Sequence, residues 1–145
     1  MEPVAFTVSI TPRPKGRPRT RVRGSFATIY TPETTRTYEK AVKAAAEVAM
    51  GSRAPFWQPV SVFLKVRVPV PASHSKRERT AILTGEQAYY GNGDAENYAK
   101  SILDAFNGVI YDDDRQVCQL VVIRVPSEKA GIDVRISEFK PKDWI

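Results

Sequence analysis

Asp94-Ala95-Glu96-Asn97-Tyr98-Ala99-Lys100-Ser101-Ile102-Leu103-Asp104-Ala105-Phe106-Asn107-Gly108, continuing as Val109-Ile110-Tyr111-Asp112-Asp113-Asp114-Arg115-Gln116-Val117, decides how the whole chain is read. Ala99, Ile102, Leu103 and Phe106 recur at helical spacing, which predicts a helix over Asp94–Asn107 with an apolar stripe in the core. Gly108 is the residue that stops it. Asp94, Asn97, Lys100 and Asp104 follow at steps of three, three and four and make a separate polar face. That face suits the wall of a cleft, or equally an ordinary solvated surface with a Lys100–Asp104 pair worth roughly a few tenths of a kcal/mol. Three consecutive aspartates shift the balance, because Asp112-Asp113-Asp114 repel one another unless a cation compensates. With Asp94 and Glu96 at the helix start they could supply several carboxylate oxygens to a hard cation. Magnesium needs few protein carboxylates, since it keeps waters and takes further oxygens from phosphate. The alternative is a plain aspartate turn in solvent; the regular Asp-x-Asp-x-Asp-Gly spacing of a calcium loop is missing.

Working outward, Val117–Val125 reads as a strand, Ser127–Gly131 as a turn and Ile132–Phe139 as the last strand, the two strands expected to form an antiparallel hairpin. Upstream, Val60, Val62, Leu64, Val66 and Val68 alternate with Ser61, Phe63, Lys65 and Arg67, so Pro59–Pro69 is a strand. Ser73–Thr84 is a short polar helix, and Tyr89–Gly93 a turn-rich link. Val4–Ile10 alternates as a strand. Pro12, Pro14, Gly16 and Pro18 forbid regular structure next, and Thr11–Tyr30 is expected to be a loop or arm. Thr31-Pro32-Glu33 then starts a helix, Thr31 as its cap and Pro32 its first residue, running to Met50 and ended by Gly51. Its buried side should carry Tyr38, Ala41, Val42, Ala45 and Val48 or Ala49. Val109–Tyr111 adds a short strand. The expected class is α+β: one domain over residues 1–145, a mixed sheet of four to five strands with three helices packed on one face.

Composition narrows the function. The chain has 145 residues, with one cysteine (Cys118) and one histidine (His74), so an internal disulfide and zinc sites built on several Cys or His are excluded. The phosphate-cradling GxxxxGK[ST] and dinucleotide GxGxxG patterns are absent. No run of about 20 apolar residues suits a membrane span and no signal segment opens the chain, so a cytoplasmic and not a secreted protein is expected. The net charge is +6, a weak pointer to a polyanion. Its distribution is more telling. Arg13, Lys15, Arg17, Arg19, Arg21, Arg23 and Arg36 make Met1–Arg36 strongly basic, while Asp94–Gln116 is strongly acidic. A basic arm beside an acidic cluster is what a metal-dependent enzyme acting on phosphates needs; two solvated patches of opposite sign are the bland alternative.

The chain resembles the RusA family of Holliday-junction resolvases, the phage and prophage type in particular. Asp94-Ala95-Glu96-Asn97, Lys100, Asp104-Ala105-Phe106-Asn107-Gly108 and Asp113-Asp114-Arg115-Gln116-Val117 follow the family's core pattern in order. Pro14-Lys15-Gly16-Arg17-Pro18-Arg19, Tyr30-Thr31-Pro32 and Ser75-Lys76-Arg77 also match. Glu96 stands where the family usually has Asp, Gly91-Asn92-Gly93 where a Lys-Pro is common, and Asp112 is an extra acid.

The resemblance implies a structure-selective, magnesium-dependent DNA endonuclease, with Mn²⁺ a possible substitute. It would cut four-way junctions by paired nicks as a homodimer, in recombination, repair or phage DNA processing, with no membrane or small-molecule cofactor. Asp94, Glu96 and Asp114 match the metal-holding acids, Asp113 lies beside them, and Lys100 matches the catalytic lysine. Asn97, Asp104 and Gln116 would orient those groups from behind. Arg13, Lys15, Arg17, Arg19, Arg21 and Arg23 would hold DNA phosphates. A catalytically silent branched-DNA-binding module, or a nuclease for other branched DNA, would share these features.

Overall fold

In the computed structural model, residues 1–15, 19–23, 26–30 and 33–145 are described, with side chains for 1–15 and 34–145. The chain forms β1 (Val4–Val8), β2 (Arg19–Arg23), β3 (Phe26–Tyr30), α1 (Glu33–Met50), β4 (Val60–Pro69), α2 (Lys76–Leu83), α3 (Ala95–Phe106), β5 (Val117–Ser127) and β6 (Gly131–Glu138). Single 3₁₀ turns occupy Asp114–Gln116 and Pro141–Trp144. The class is α+β as expected, with a mixed four-stranded sheet and three helices among the described residues.

The strand order is β1-β6-β4-β5, with β4 antiparallel to β6 and parallel to β5. The period-two pattern of β4 explains its central place. Val60, Val62, Leu64, Val66 and Val68 are all buried, and they share one core with Ile132, Val134 and Ile136 of β6. From α1 and α3 the same core takes Tyr38, Val42, Ala46, Met50, Tyr98, Ala99, Ile102, Ala105 and Phe106. On the other face Phe63, Val121 and Ile123 remain partly exposed.

Three expectations are corrected. First, β5 and β6 are not a hairpin, because β4 lies between them. Pro69 pairs with Ser127 and Arg67 with Gly131, so the short link after β5 crosses the end of β4. A gap of two strand spacings is about 10 Å, which three or four residues span. Pro126, which has no N–H to give, suits an edge strand. Second, the segment read as an irregular arm contains the β2–β3 hairpin, Arg19 pairing with Tyr30 and Arg23 with Phe26. The prolines end at Pro18, and the alternation Arg19-Thr20-Arg21-Val22-Arg23 beyond them is a strand pattern. Third, Val109–Tyr111 is a turn whose only ladder contacts among the described residues are bridges from Tyr111 to Phe56 and Asn107.

The expected cap Thr31 and Pro32 lie outside the described residues. In α1 the buried line is Tyr38, Val42, Ala46 and Met50, whereas Ala41 is exposed and Val48 is 84% exposed. Ala45 and Ala49 pack half-buried against the same core as expected, so of the expected face only Ala41 is turned out, and Ala49 and not Val48 completes it. Gly51, at φ 56°, ends it in the left-handed conformation that glycine adopts without cost. None of the described helices is long and apolar enough to cross a membrane.

Candidate active site

Helix α3 carries the first half of the site. Asp94 caps it, its Oδ1 accepting from the Asn97 N–H at 2.8 Å. Tyr98, Ala99, Ile102, Ala105 and Phe106 face the core, which turns Glu96, Asn97 and Lys100 to the exposed side. The chain enters α3 under close control. Arg124 of β5 donates to the Gly93 carbonyl at 2.6 Å, and its guanidinium lies 5.5 Å from the Tyr98 ring. A Cβ on Gly93 would stand 2.9 Å from Cβ of Pro14, so only glycine lets the arm pass this close. Arg124 was not among the expected site residues. The signal was a charge at an inward register of β5, beyond Leu120 and Val122.

The triple-aspartate turn is held from behind by Gln116. Its Oε1 accepts from the Asp112 and Asp113 N–H groups at 2.9 and 3.1 Å, and its Nε2 donates to the Phe56 and Gln58 carbonyls at 2.8 and 3.0 Å. Asp113 caps the 3₁₀ turn through the Arg115 N–H at 2.8 Å. That backbone bond, aided by the Arg115 guanidinium, holds its carboxyl below the usual aspartate range. Beneath the turn, Tyr111 is fully buried and donates its hydroxyl to the Leu103 carbonyl at 2.8 Å. Burial, then the charges of Asp114, Asp104 and Asp113, push its phenol well above the ordinary tyrosine range.

The two halves meet in a cleft of about 240 Å³ lined by Glu96, Ala99, Lys100, Leu103, Asp104, Asp114 and Leu120. Glu96, Lys100, Asp104 and Asp114 are thus brought together from the helix and the turn. Asp94 and Asp113 cap α3 and the 3₁₀ turn and are not among the residues that line the cleft. Among the described residues Lys100 forms no salt bridge, so the helix pair with Glu96 or Asp104 is not made. No preassembled group of three or more metal-binding side chains occurs among the described residues. Glu96 and Asp114 nevertheless offer hard carboxylate oxygens to one space. Those donors fit magnesium, whose remaining positions go to water and phosphate.

The start of the arm is pinned to α3. The Lys15 N–H donates to the Asn97 carbonyl at 3.0 Å, and Ser101 Oγ donates to the Arg13 carbonyl at 3.0 Å. The Lys15 ammonium, expected among the phosphate-holding cations, sits between Glu39 and Asp104 Oδ2, 3.0 Å from the latter. Partial burial pulls its pKa down, but the bonds to Glu39 and Asp104 outweigh this and the net shift is upward. Arg13 is exposed, and Arg19, Arg21 and Arg23 lie on β2. Arg17 lies outside the described residues.

Comparison with known proteins adds two findings. The profile of the family described as Endodeoxyribonuclease RusA matches residues 9–137. A protein of Bacillus subtilis (strain 168) named "Uncharacterized protein YqaN" is 31% identical over 140 residues, covering 95% of this chain and 98% of the relative.

Proposed function

We propose, for a chain that belongs to the RusA endodeoxyribonuclease family, that it is a magnesium-dependent, structure-selective nuclease resolving four-way DNA junctions by paired nicks. The observation that carries this reading is the convergence of Glu96 and Asp114 with Lys100 on one cleft. Glu96 and Asp114 would hold the cation, and Asp94 and Asp113, which cap the helix and the turn that carry them, would join them. Bound there, magnesium would supply stabilisation of the charge that develops on the phosphoryl oxygens and would lower the pKa of an attacking water. Mn²⁺ has the same preference for oxygen donors.

The chain's own groups do the rest. Lys100, with no protein carboxylate bonded to it among the described residues, offers its ammonium to the scissile phosphate or the leaving oxygen. Leu103, Ala99 and Leu120 give the cleft an apolar wall. Gln116 keeps the acidic turn in register, and Asp104 is engaged by Lys15. The basic arm and β2 hold the DNA backbone without reading bases. Two symmetric nicks in a roughly two-fold junction are most simply made by a two-fold dimer, each protomer cutting one strand. A cytoplasmic setting and a role in recombination, repair or phage DNA processing accord with that substrate.

A synthetic four-way junction, incubated with Mg²⁺ beside a linear duplex of the same sequence, tests the reading. The expected result is paired, metal-dependent nicks in the junction and none in the duplex. Binding with no cleavage across Mg²⁺, Mn²⁺ and pH would instead make the chain a silent branched-DNA-binding module. Preferential cutting of other branched forms in competition would reassign the substrate.

A further inference from the structure

A second groove, about 650 Å³, runs along α1 and is lined by Arg36, Thr37, Glu39, Lys40, Lys43, Asp104 and Ala105. Asp104 also lines the acidic cleft, so the two spaces share a wall. Arg36, Lys40 and Lys43 follow at steps of four and three, which sets them in one line over about 10 Å of helix. All three are exposed, and among the described residues none forms a salt bridge. The two acids of the groove, Glu39 and Asp104, are already engaged by Lys15. Its ammonium offsets their charge from within, and the groove is left with a net positive line that leads to the carboxylates of the cleft.

We infer that this groove is a phosphate track: Arg36, Lys40 and Lys43 hold consecutive phosphates of the DNA strand that enters the acidic cleft past Asp104. The inference rests on the nuclease reading and extends it to the path of the strand. A solvated basic helix face would scatter its cations around the helix. Here they line one concavity that opens beside the site of chemistry. Thr37, on the same groove, adds a neutral hydroxyl that can donate to a phosphate oxygen. The contacts are electrostatic, so the track is blind to sequence and sensitive to salt.

The test is the salt dependence of binding to a synthetic four-way junction, measured by fluorescence anisotropy without divalent metal. Lys40→Gln with Lys43→Gln is expected to lower the slope of log affinity against log salt by about 1.8. A control, Lys65→Gln with Lys129→Gln, removes the same charge from the opposite sheet face and the β5–β6 link. It is expected to leave the slope nearly unchanged. Both pairs are exposed, and a shared thermal midpoint with the parent protein checks folding. An unchanged slope in the α1 variant overturns the track. So does an equal flattening in the control, which would mean net charge alone, or a changed oligomeric state on sedimentation, which would assign the groove to contact between copies. A flattened slope in the α1 variant alone, with a parent protein that cuts no branched DNA, keeps the track and removes the nuclease reading.

Discussion

Two pairs of carboxylates border the same helix and are treated in opposite ways. Glu39 and Asp104 face a lysine delivered by the start of the arm, and Lys15 bonds both. Glu96 and Asp114 line the next cleft, and among the described residues neither takes part in a salt bridge, although Lys100 shares the space. Like charges brought together cost stability unless something compensates them. The first pair is compensated by the chain itself and ties three segments together. The second has no such ion pair among the described residues. The contrast holds although each pair is one Glu and one Asp and α3 supplies a member of both, Asp104 to the first and Glu96 to the second.

The contrast can be broken at its functional end first. Asp114→Asn is expected to lower single-turnover junction cleavage by about 100-fold or more while leaving junction affinity within about two-fold. Gel cleavage in Mg²⁺ and anisotropy in Ca²⁺ measure the two. Near-normal cutting would remove Asp114 from the site. Lys100→Met should follow, with a loss of about 30-fold that falls on kcat and not on KM, equivalent to ~2 kcal/mol of transition-state stabilisation. Loss confined to KM would make Lys100 a binding residue only.

The basic side of the molecule gives smaller effects. Arg17→Ala with Arg19→Ala is expected to weaken junction binding and to flatten its salt slope by about 1.8, with the cutting rate at saturation less affected. An unchanged slope would take the arm out of the phosphate contacts.

Smallest in activity, but sharpest for the comparison, is Lys15→Met. It leaves Glu39 and Asp104 facing each other and is expected to cost about 1–2 kcal/mol in denaturant unfolding. The pKa of Lys15 is raised above its ordinary 10.5 in the fold, so its stabilisation is fully present below that value. It disappears as pH rises through the higher folded pKa. The stabilities of parent and variant should therefore differ at pH 7 and converge in strong alkali. A difference that persists there would assign the loss to packing and not to charge.

Much of this was legible locally. The apolar stripe Ala99-Ile102-Phe106 marked α3 and the alternation Val60 to Val68 marked β4, because helix and strand periods are written in neighbouring residues. The acidic turn stood out through its self-repulsion. Other features were hidden because their cause is distant in the chain. Nothing around Lys15 announces Glu39 and Asp104 as its partners, and nothing around Val117–Ser127 says that β4 will stand between it and β6. The hairpin of β2 and β3 was masked by the prolines before it, which break structure only where they stand.

The residues alone therefore determined α1, α3, β4 and the α+β class, since those follow from periodicity along a few turns of chain. Only the tertiary structure decided which acid is neutralised by which lysine, which strand is central, and that Glu96 and Asp114 share a space. Those are questions of pairing between surfaces, and in a folded chain pairing is settled by what each surface can bury or compensate across space, not by its neighbours in sequence.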